Sequence, residues 1–279
     1  MIIQGDLIVM NNKFEKSVIE SIKLRKSVRN YDNQPLSKEI IQKIENYINE
    51  IENPFNKEMR IKLIEKSEYN KEFKLGTYGV IKGANYFLAV ACKNEDFSLE
   101  ALGYTFEKLV LYCTSLGLAT VWLGGTFNKG EFFKAMNLTE NEIFPIVSPV
   151  GYEGGKKSLI SRLIGNNNDK RKDFSEIFFN ESFSRGLSKE ESGEYLEVLE
   201  MVRLAPSAIN KQPWRILKDK NKFHFYMDYK NEMNKIDIGI AICHFHLTLQ
   251  EKELDGRFEF EEHNNIDSKF KYVISWVCE

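Results

Sequence analysis

The same succession of helix- and strand-forming segments runs through this chain twice, and no other feature constrains its fold as tightly. Ser37-Lys38-Glu39 opens a stretch with Ile40, Ile41, Ile44, Tyr47, Ile48 and Ile51 at helical spacing; Ser37 is placed to cap it, and Pro35 lies just before. Ser188-Lys189-Glu190 opens a second stretch, with Tyr195, Leu196, Val198, Leu199 and Val202 as its apolar positions. The first leads to Asn56-Lys57-Glu58-Met59-Arg60-Ile61 and the second to Asn210-Lys211-Gln212-Pro213-Trp214-Arg215-Ile216, which align if the first copy has lost a few residues. A buried strand follows in each (86–91 and 222–227), then a long helix (98–116 and 236–254), a short strand (119–122 and 257–260) and a last strand (145–150 and 272–277). This order predicts an α+β fold duplicated in one chain, with a first half over 1–180 and a second, shorter half over 181–279. The polar stretches at 165–170 and 180–186 suit a linker crossing between them.

Composition narrows the functional classes. A length of 279 residues allows one large domain or two small ones, and 42% hydrophobic residues suffice for a real core. A formal net charge of −2 leaves no field that favours nucleic acid or an anionic membrane. No apolar run approaches the ~18 residues of a membrane helix. Lys156-Lys157 and Lys170-Arg171-Lys172 are local and read as phosphate clamps or solvated faces. Cys92, Cys113, Cys243 and Cys278 form no CxxC pair, which predicts reduced, mostly buried thiols in a cytoplasmic protein. His244-Phe245-His246 has no carboxylate or cysteine at metal-ligand spacing, so no metal site is expected. The first six residues carry an acid and no basic start, unlike a secretory signal.

The two copies carry different chemistry. Arg25, Ser27 and Arg29 alternate in the first, so in an extended segment two guanidinium groups and a hydroxyl point to one side, as a dianionic phosphate requires, with Lys26 opposite. A solvated basic patch before a helix is the alternative. The second copy has no Arg-x-Ser-x-Arg but carries Ala205-Pro206-Ser207-Ala208-Ile209-Asn210-Lys211-Gln212-Pro213-Trp214. Small residues there let backbone approach a flat ligand, and Asn210 and Gln212 supply amide donors and acceptors. Pro213-Trp214 stiffens the turn and anchors it in the core. In the first copy Glu52-Asn53-Pro54-Phe55 stands in place of that segment. Leu123-Gly124-Gly125 follows the first short strand, where the glycines permit unusual backbone angles, or simply a tight turn.

Together these segments resemble the two binding signatures of the nitroreductase family of FMN-dependent oxidoreductases, most closely the subfamily with two tandem halves in one chain. The resemblance covers nearly the whole sequence. Ordinary members carry both signatures near the N-terminus, and a homodimer builds two sites at its interface; here the signatures are separated, one in each half. The resemblance implies a nitroreductase-like fold in which the halves form an intramolecular pseudo-dimer, active as a monomer, with one complete site and one erased. It implies one FMN per chain, held by Arg25, Lys26, Ser27, Arg29, Leu123, Gly124, Gly125, Pro206, Ser207, Ala208, Asn210 and Gln212. Arg171 would close on the phosphate; Lys157, Arg162, Lys172 and the Gly76-Thr77-Tyr78-Gly79 stretch are weaker candidates. A backbone N–H at Gly124 or Gly125 would donate to flavin N5, and no protein nucleophile is needed because the flavin carries the chemistry. The implied activity is ping-pong hydride transfer from NAD(P)H to small-molecule nitroaromatic, quinone or flavin acceptors. A flavin-binding sensor or carrier without turnover is the alternative, and flavin-fragmenting or dehalogenating chemistry a third. Gly124-Gly125 is no dinucleotide fingerprint, so NADH and NADPH stay open.

Overall fold

The computed structural model describes residues 13–69, 75–155, 170–261 and 269–279. The first half contains α1 (Val18–Leu24), α2 (Lys38–Ile48), β1 (Met59–Glu65), β2 (Tyr86–Lys93), α3 (Ser98–Ser115), β3 (Ala119–Thr120), α4 (Lys129–Met136) and β4 (Glu142–Gly151). Then come α5 (Phe174–Ile177), β5 (Phe178–Asn180), β6 (Ser182–Gly186), α6 (Leu196–Arg203), β7 (Trp214–Asp219), β8 (Lys222–Met227), α7 (Met233–Glu251), β9 (Gly256–Glu259) and β10 (Lys271–Cys278).

The strands form two sheets, ordered β1-β2-β4-β3 and β6-β5-β7-β8-β10-β9. Four strands of the second repeat the order of the first, the arrangement expected of a duplicated unit. The register agrees residue by residue. Leu123 faces Val147 and Thr120 faces Val150 in the first sheet; Glu259 faces Ser275 and Gly256 faces Cys278 in the second. Ala89 lies between Val147 and Lys62, as His224 lies between Ser275 and Leu217. This correspondence makes Arg60-Ile61 the counterparts of Arg215-Ile216, as the sequence alignment has it. It also makes Phe260 the counterpart of Gly124.

Two local expectations change. The helix does not begin at Ser188. Ser188 and Glu191 instead close a reciprocal cap (Glu191 N to Ser188 Oγ 3.1 Å, Ser188 N to Glu191 Oε2 2.9 Å), Gly193 turns through φ +55°, and α6 starts only at Leu196. The stretch at 180–186 is no free linker. Its alternation turns Phe183 onto Phe179 and Tyr226, with ring centroids 5.2 and 4.9 Å apart, and β6 forms on β5. β5 in turn runs parallel to β7, so residues 178–180 extend the second sheet. The other linker stretch, at 165–169, lies outside the described residues.

α3 packs on the first sheet, α7 on the second, and the two helices on each other. Every residue of α3 is buried, which an amphipathic surface helix never achieves. The contact depends on two glycines 136 positions apart. A Cβ on Gly103 would lie 2.1 Å from the Ile236 carbonyl oxygen, and one on Gly239 2.0 Å from that of Glu100.

Gly103→Ala and Gly239→Ala should therefore each cost about 3 kcal/mol or more in urea denaturation, since backbone cannot step aside. Gly130→Ala in α4, whose Cβ would meet nothing nearer than 3.8 Å, should stabilise by about 0.5–1 kcal/mol. Equal effects would refute the close crossing.

Candidate functional site

The basic segment lies along the edge of the first sheet. α1 ends at Leu24, and Ser27 forms a parallel bridge to Thr120 of β3, with Val28 N donating to Thr120 O at 2.9 Å. The side chains then part as alternation predicts. Lys26 turns out to Glu153 at 2.6 Å, while Arg25 turns inward, its Nε 3.9 Å from Glu107 Oε1. Arg29 is half-buried. Burial pulls both arginines below the ordinary guanidinium value, opposed at Arg25 by the Glu107 carboxylate and at Arg29 by Tyr31. Nε and Nη1 of Arg25 are buried without a hydrogen-bond partner. A charged donor so placed is costly unless an acceptor arrives.

β3 delivers the chain to the glycine turn. Leu123 is buried against Val147, and Gly124 and Gly125 are exposed. Neither glycine has positive φ, so unusual backbone angles are not the reason for them. Gly124 does lie against the second half: a Cβ there would sit 3.0 Å from Met233 Cε, the flexible tip of a side chain at the start of α7.

One turn along α7, Asp237 Oδ1 accepts the Ala208 N–H at 2.8 Å. This ties residues 205–212 to the same helix end as the glycine turn. The loop is fastened again from the crossing segment. Arg171 donates to Leu204 O (3.0 Å), Ala205 O (2.9 Å) and Asn210 Oδ1 (3.2 Å). Asn210 Nδ2 donates to Lys170 O at 2.7 Å, Lys172 N to Gln212 Oε1 at 3.0 Å, and Gln212 N to Ser207 Oγ at 2.9 Å. The Asn210 and Gln212 amides thus meet protein backbone, and Arg171 meets this loop. Pro206, Ser207 and Ala208 remain partly exposed, and Trp214 anchors the loop's end, fully buried. Ile209, Asn210 and Gln212 have φ of 45°, 57° and 48°. Three left-handed non-glycine residues in four positions, one of them β-branched, hold strain that the surrounding bonds must offset.

Several residues here carried no sequence signal. Glu107 is the sharpest case: fully buried in α3, it accepts from Trp122 Nε1 at 2.8 Å and faces His244 Nε2 at 3.0 Å. Acids in a helix, here Glu100 and Glu107, do not announce their partners in the sequence. His246 faces Tyr104 instead, its Nδ1 2.7 Å from the hydroxyl. Asp237 is the second case, its pKa pushed up to about 7 by burial against the opposing pull of hydrogen bonds from Ala208 N and the Asn234 side chain. Cys92, Cys113 and Cys243 are buried and Cys278 partly so; burial pushes every thiol up. Thr77 is buried and Tyr78 exposed, whereas Lys157 and Arg162 lie outside the described residues. A surface cavity of about 400 Å³ opens elsewhere, by Ile48, Asn53, Arg60 and Thr105, and includes none of the motif residues.

The corresponding place in the other half is filled with aromatic rings. Phe260 stands where Gly124 would be, and its ring lies 5.0 Å from Phe97, which holds the place of Met233. Phe55, five residues before Arg60 as Asn210 is before Arg215, completes the cluster at 6.0 Å from Phe97 and 6.3 Å from Phe260.

The two sheets repeat one strand order around a pair of packed central helices, an α+β arrangement consistent with a tandem duplication. Residues 17–249 match the family described as Putative TM nitroreductase, and the chain belongs to that family. It is similar to the crystal structure of a putative nitroreductase from Thermotoga maritima, with TM-score 0.64, 19% identity, and 98% of this chain and 99% of that one covered. A nitroreductase family protein from Clostridium difficile is 24% identical, with TM-score 0.44, over 57% of this chain and 94% of its own. A nitroreductase with bound FMN from Desulfitobacterium hafniense is 19% identical, with TM-score 0.41, over 51% and 92%. No curated protein matches the sequence.

Asp237 makes the site pH-sensitive in a defined sense. Its folded pKa is raised, so the native state holds a proton that the unfolded chain releases, and stability falls as pH rises from about 4 to about 7. Asp237→Asn removes this dependence. Relative to the native chain, its unfolding free energy should rise by roughly 3 kcal/mol between pH 4 and pH 8. Parallel stability curves in denaturant titrations would contradict the buried carboxyl.

Proposed function

We propose that this chain is a cytoplasmic FMN-dependent NAD(P)H oxidoreductase of nitroreductase type, binding one FMN and working as a monomer. The observation that carries the reading is the pair of buried donors on Arg25 that make no hydrogen bond among the described residues, in the half that keeps the basic clamp. Glu107 at 3.9 Å balances the charge without closing a hydrogen bond, and a phosphate monoester supplies the acceptors. Ser27 and Arg29 follow Arg25 along the same strand edge and complete the clamp, with Lys26 at its outer side. Gly124 and Gly125 offer exposed backbone beside it, next to buried Leu123. The loop from Pro206 through Ser207 and Ala208 to Asn210 and Gln212 forms the opposite wall, held in a strained but fixed shape by Arg171 and Asp237. That rigidity places both walls before a ligand arrives. FMN, when bound, supplies hydride transfer from NAD(P)H to a nitroaromatic, quinone or flavin acceptor; the chain's residues bind and orient it. The phenyl cluster of Phe55, Phe97 and Phe260 supports a count of one, because rings occupy the place where a second ring system would enter.

The test combines a released-flavin count with NAD(P)H oxidation in the presence and absence of a nitroaromatic acceptor. One FMN per chain and acceptor-dependent turnover, unchanged on dilution of a monomer verified by light scattering, are expected. Bound flavin without turnover would leave a binding protein on this fold, and two flavins per chain would refute the single site. Arg25→Ala should weaken FMN binding by roughly 1.5–3 kcal/mol, the range for a hydrogen bond to a charged group. Arg60→Ala, which removes contacts to Glu142 (3.0 Å) and Asn137 O (3.0 Å) among the described residues, should leave affinity unchanged in the same titration.

A further inference from the structure

Behind Arg25 lies a buried polar group that spans both halves. Glu107 Oε1 faces Arg25 Nε and His244 Nε2, and its Oε2 accepts from Trp122. His244 is fully buried on α7, and its other nitrogen, Nδ1, lies 2.9 Å from the Met201 carbonyl oxygen at the end of α6. A carbonyl only accepts, so Nδ1 carries a hydrogen. Nε2 and Oε1, 3.0 Å apart, then share one more proton, because two bare acceptors at that distance repel. Drawn as imidazolium and carboxylate, or as imidazole and carboxylic acid, the group of Arg25, Glu107 and His244 carries net charge +1 either way. Without the proton it carries none.

The pair exists on one side only. The correspondence of Gly103 with Gly239 assigns Cys243 to the place of Glu107 and Lys108 to that of His244. Cys243 and Lys108 do interact electrostatically, but as a thiol and an amine. A pair needed merely to pack two helices has no reason to form only on the side of the helix crossing that faces Arg25.

We propose that Glu107 and His244 are a one-proton positioning pair for Arg25. They hold its guanidinium in place and keep the charge presented to a bound anion at +1. The inference rests on the reading of Arg25 as an FMN ligand. A +1 group holds a dianionic phosphate more tightly than a neutral one does.

The two variants separate charge from shape. Glu107→Gln leaves Arg25⁺ beside neutral partners, net +1 as in the native chain. His244→Gln leaves Arg25⁺ beside Glu107⁻, net zero. Titration of the FMN-free variants with FMN should show a smaller loss of affinity in E107Q than in H244Q, which should weaken binding by about tenfold, the scale of losing one charge-assisted contact. Equal losses in both variants, or none in H244Q, overturn the proposal. Side-chain ¹⁵N NMR of the native, FMN-free protein tests the proton without any variant having to fold. A hydrogen on His244 Nδ1 is expected; a bare Nδ1 with the hydrogen on Nε2 overturns the pair. Native protein that takes up no flavin would refute the cofactor reading, while the tautomer would still decide the Glu107–His244 pair.

Discussion

Two buried helices meet backbone to backbone at Gly103 and Gly239, and the rest of the molecule depends on that contact. Such an approach leaves no room for sliding, because carbonyl groups, unlike side chains, cannot repack. It presents the start of α7 to the Gly124 turn through Met233 and to the 205–212 loop through Asp237. It also brings His244 within hydrogen-bond reach of Glu107. One helix crossing thus sets the geometry of a site assembled from segments nearly two hundred residues apart.

Rigidity in the loop is achieved against its own backbone preference. Left-handed Ile209, Asn210 and Gln212 would relax if free. Arg171, Lys172 and the Lys170 carbonyl bind the loop from the crossing segment, and Asp237 binds it from the helix. Each tie satisfies a polar group that burial would otherwise leave costly. The crossing segment therefore does more than join the halves: it fastens one wall of the site and, through β5, completes a sheet.

Pseudo-symmetry shows what a fused pair can discard. At matching places the halves carry Gly124 and Phe260, Asp237 and Ala101, Glu107 and Cys243, His244 and Lys108. Each change on the second side replaces an opening or a polar anchor with bulk, or with a group that cannot form the same bond. The fold keeps both halves because each buries the other's central helix.

The strands common to both halves, the two long helices and the doubled order were legible in the sequence, because burial and alternation are local patterns that neighbours impose on each other; β5 and β6, in a stretch that reads as a linker, were not. The inward Arg25 and outward Lys26 were legible for the same reason, since alternation in an extended segment is geometry. The partners of Arg171, Asn210 and Gln212 were not, nor were the roles of Glu107, His244 and Asp237. Glu107 and His244 stand 137 residues apart, and a charged residue in a helix looks the same in sequence whether or not a partner awaits it. The sequence by itself determined which elements form and which half keeps which chemical groups. Only the tertiary structure decided which groups meet, because that choice is made where two helices touch and no local pattern records the contact.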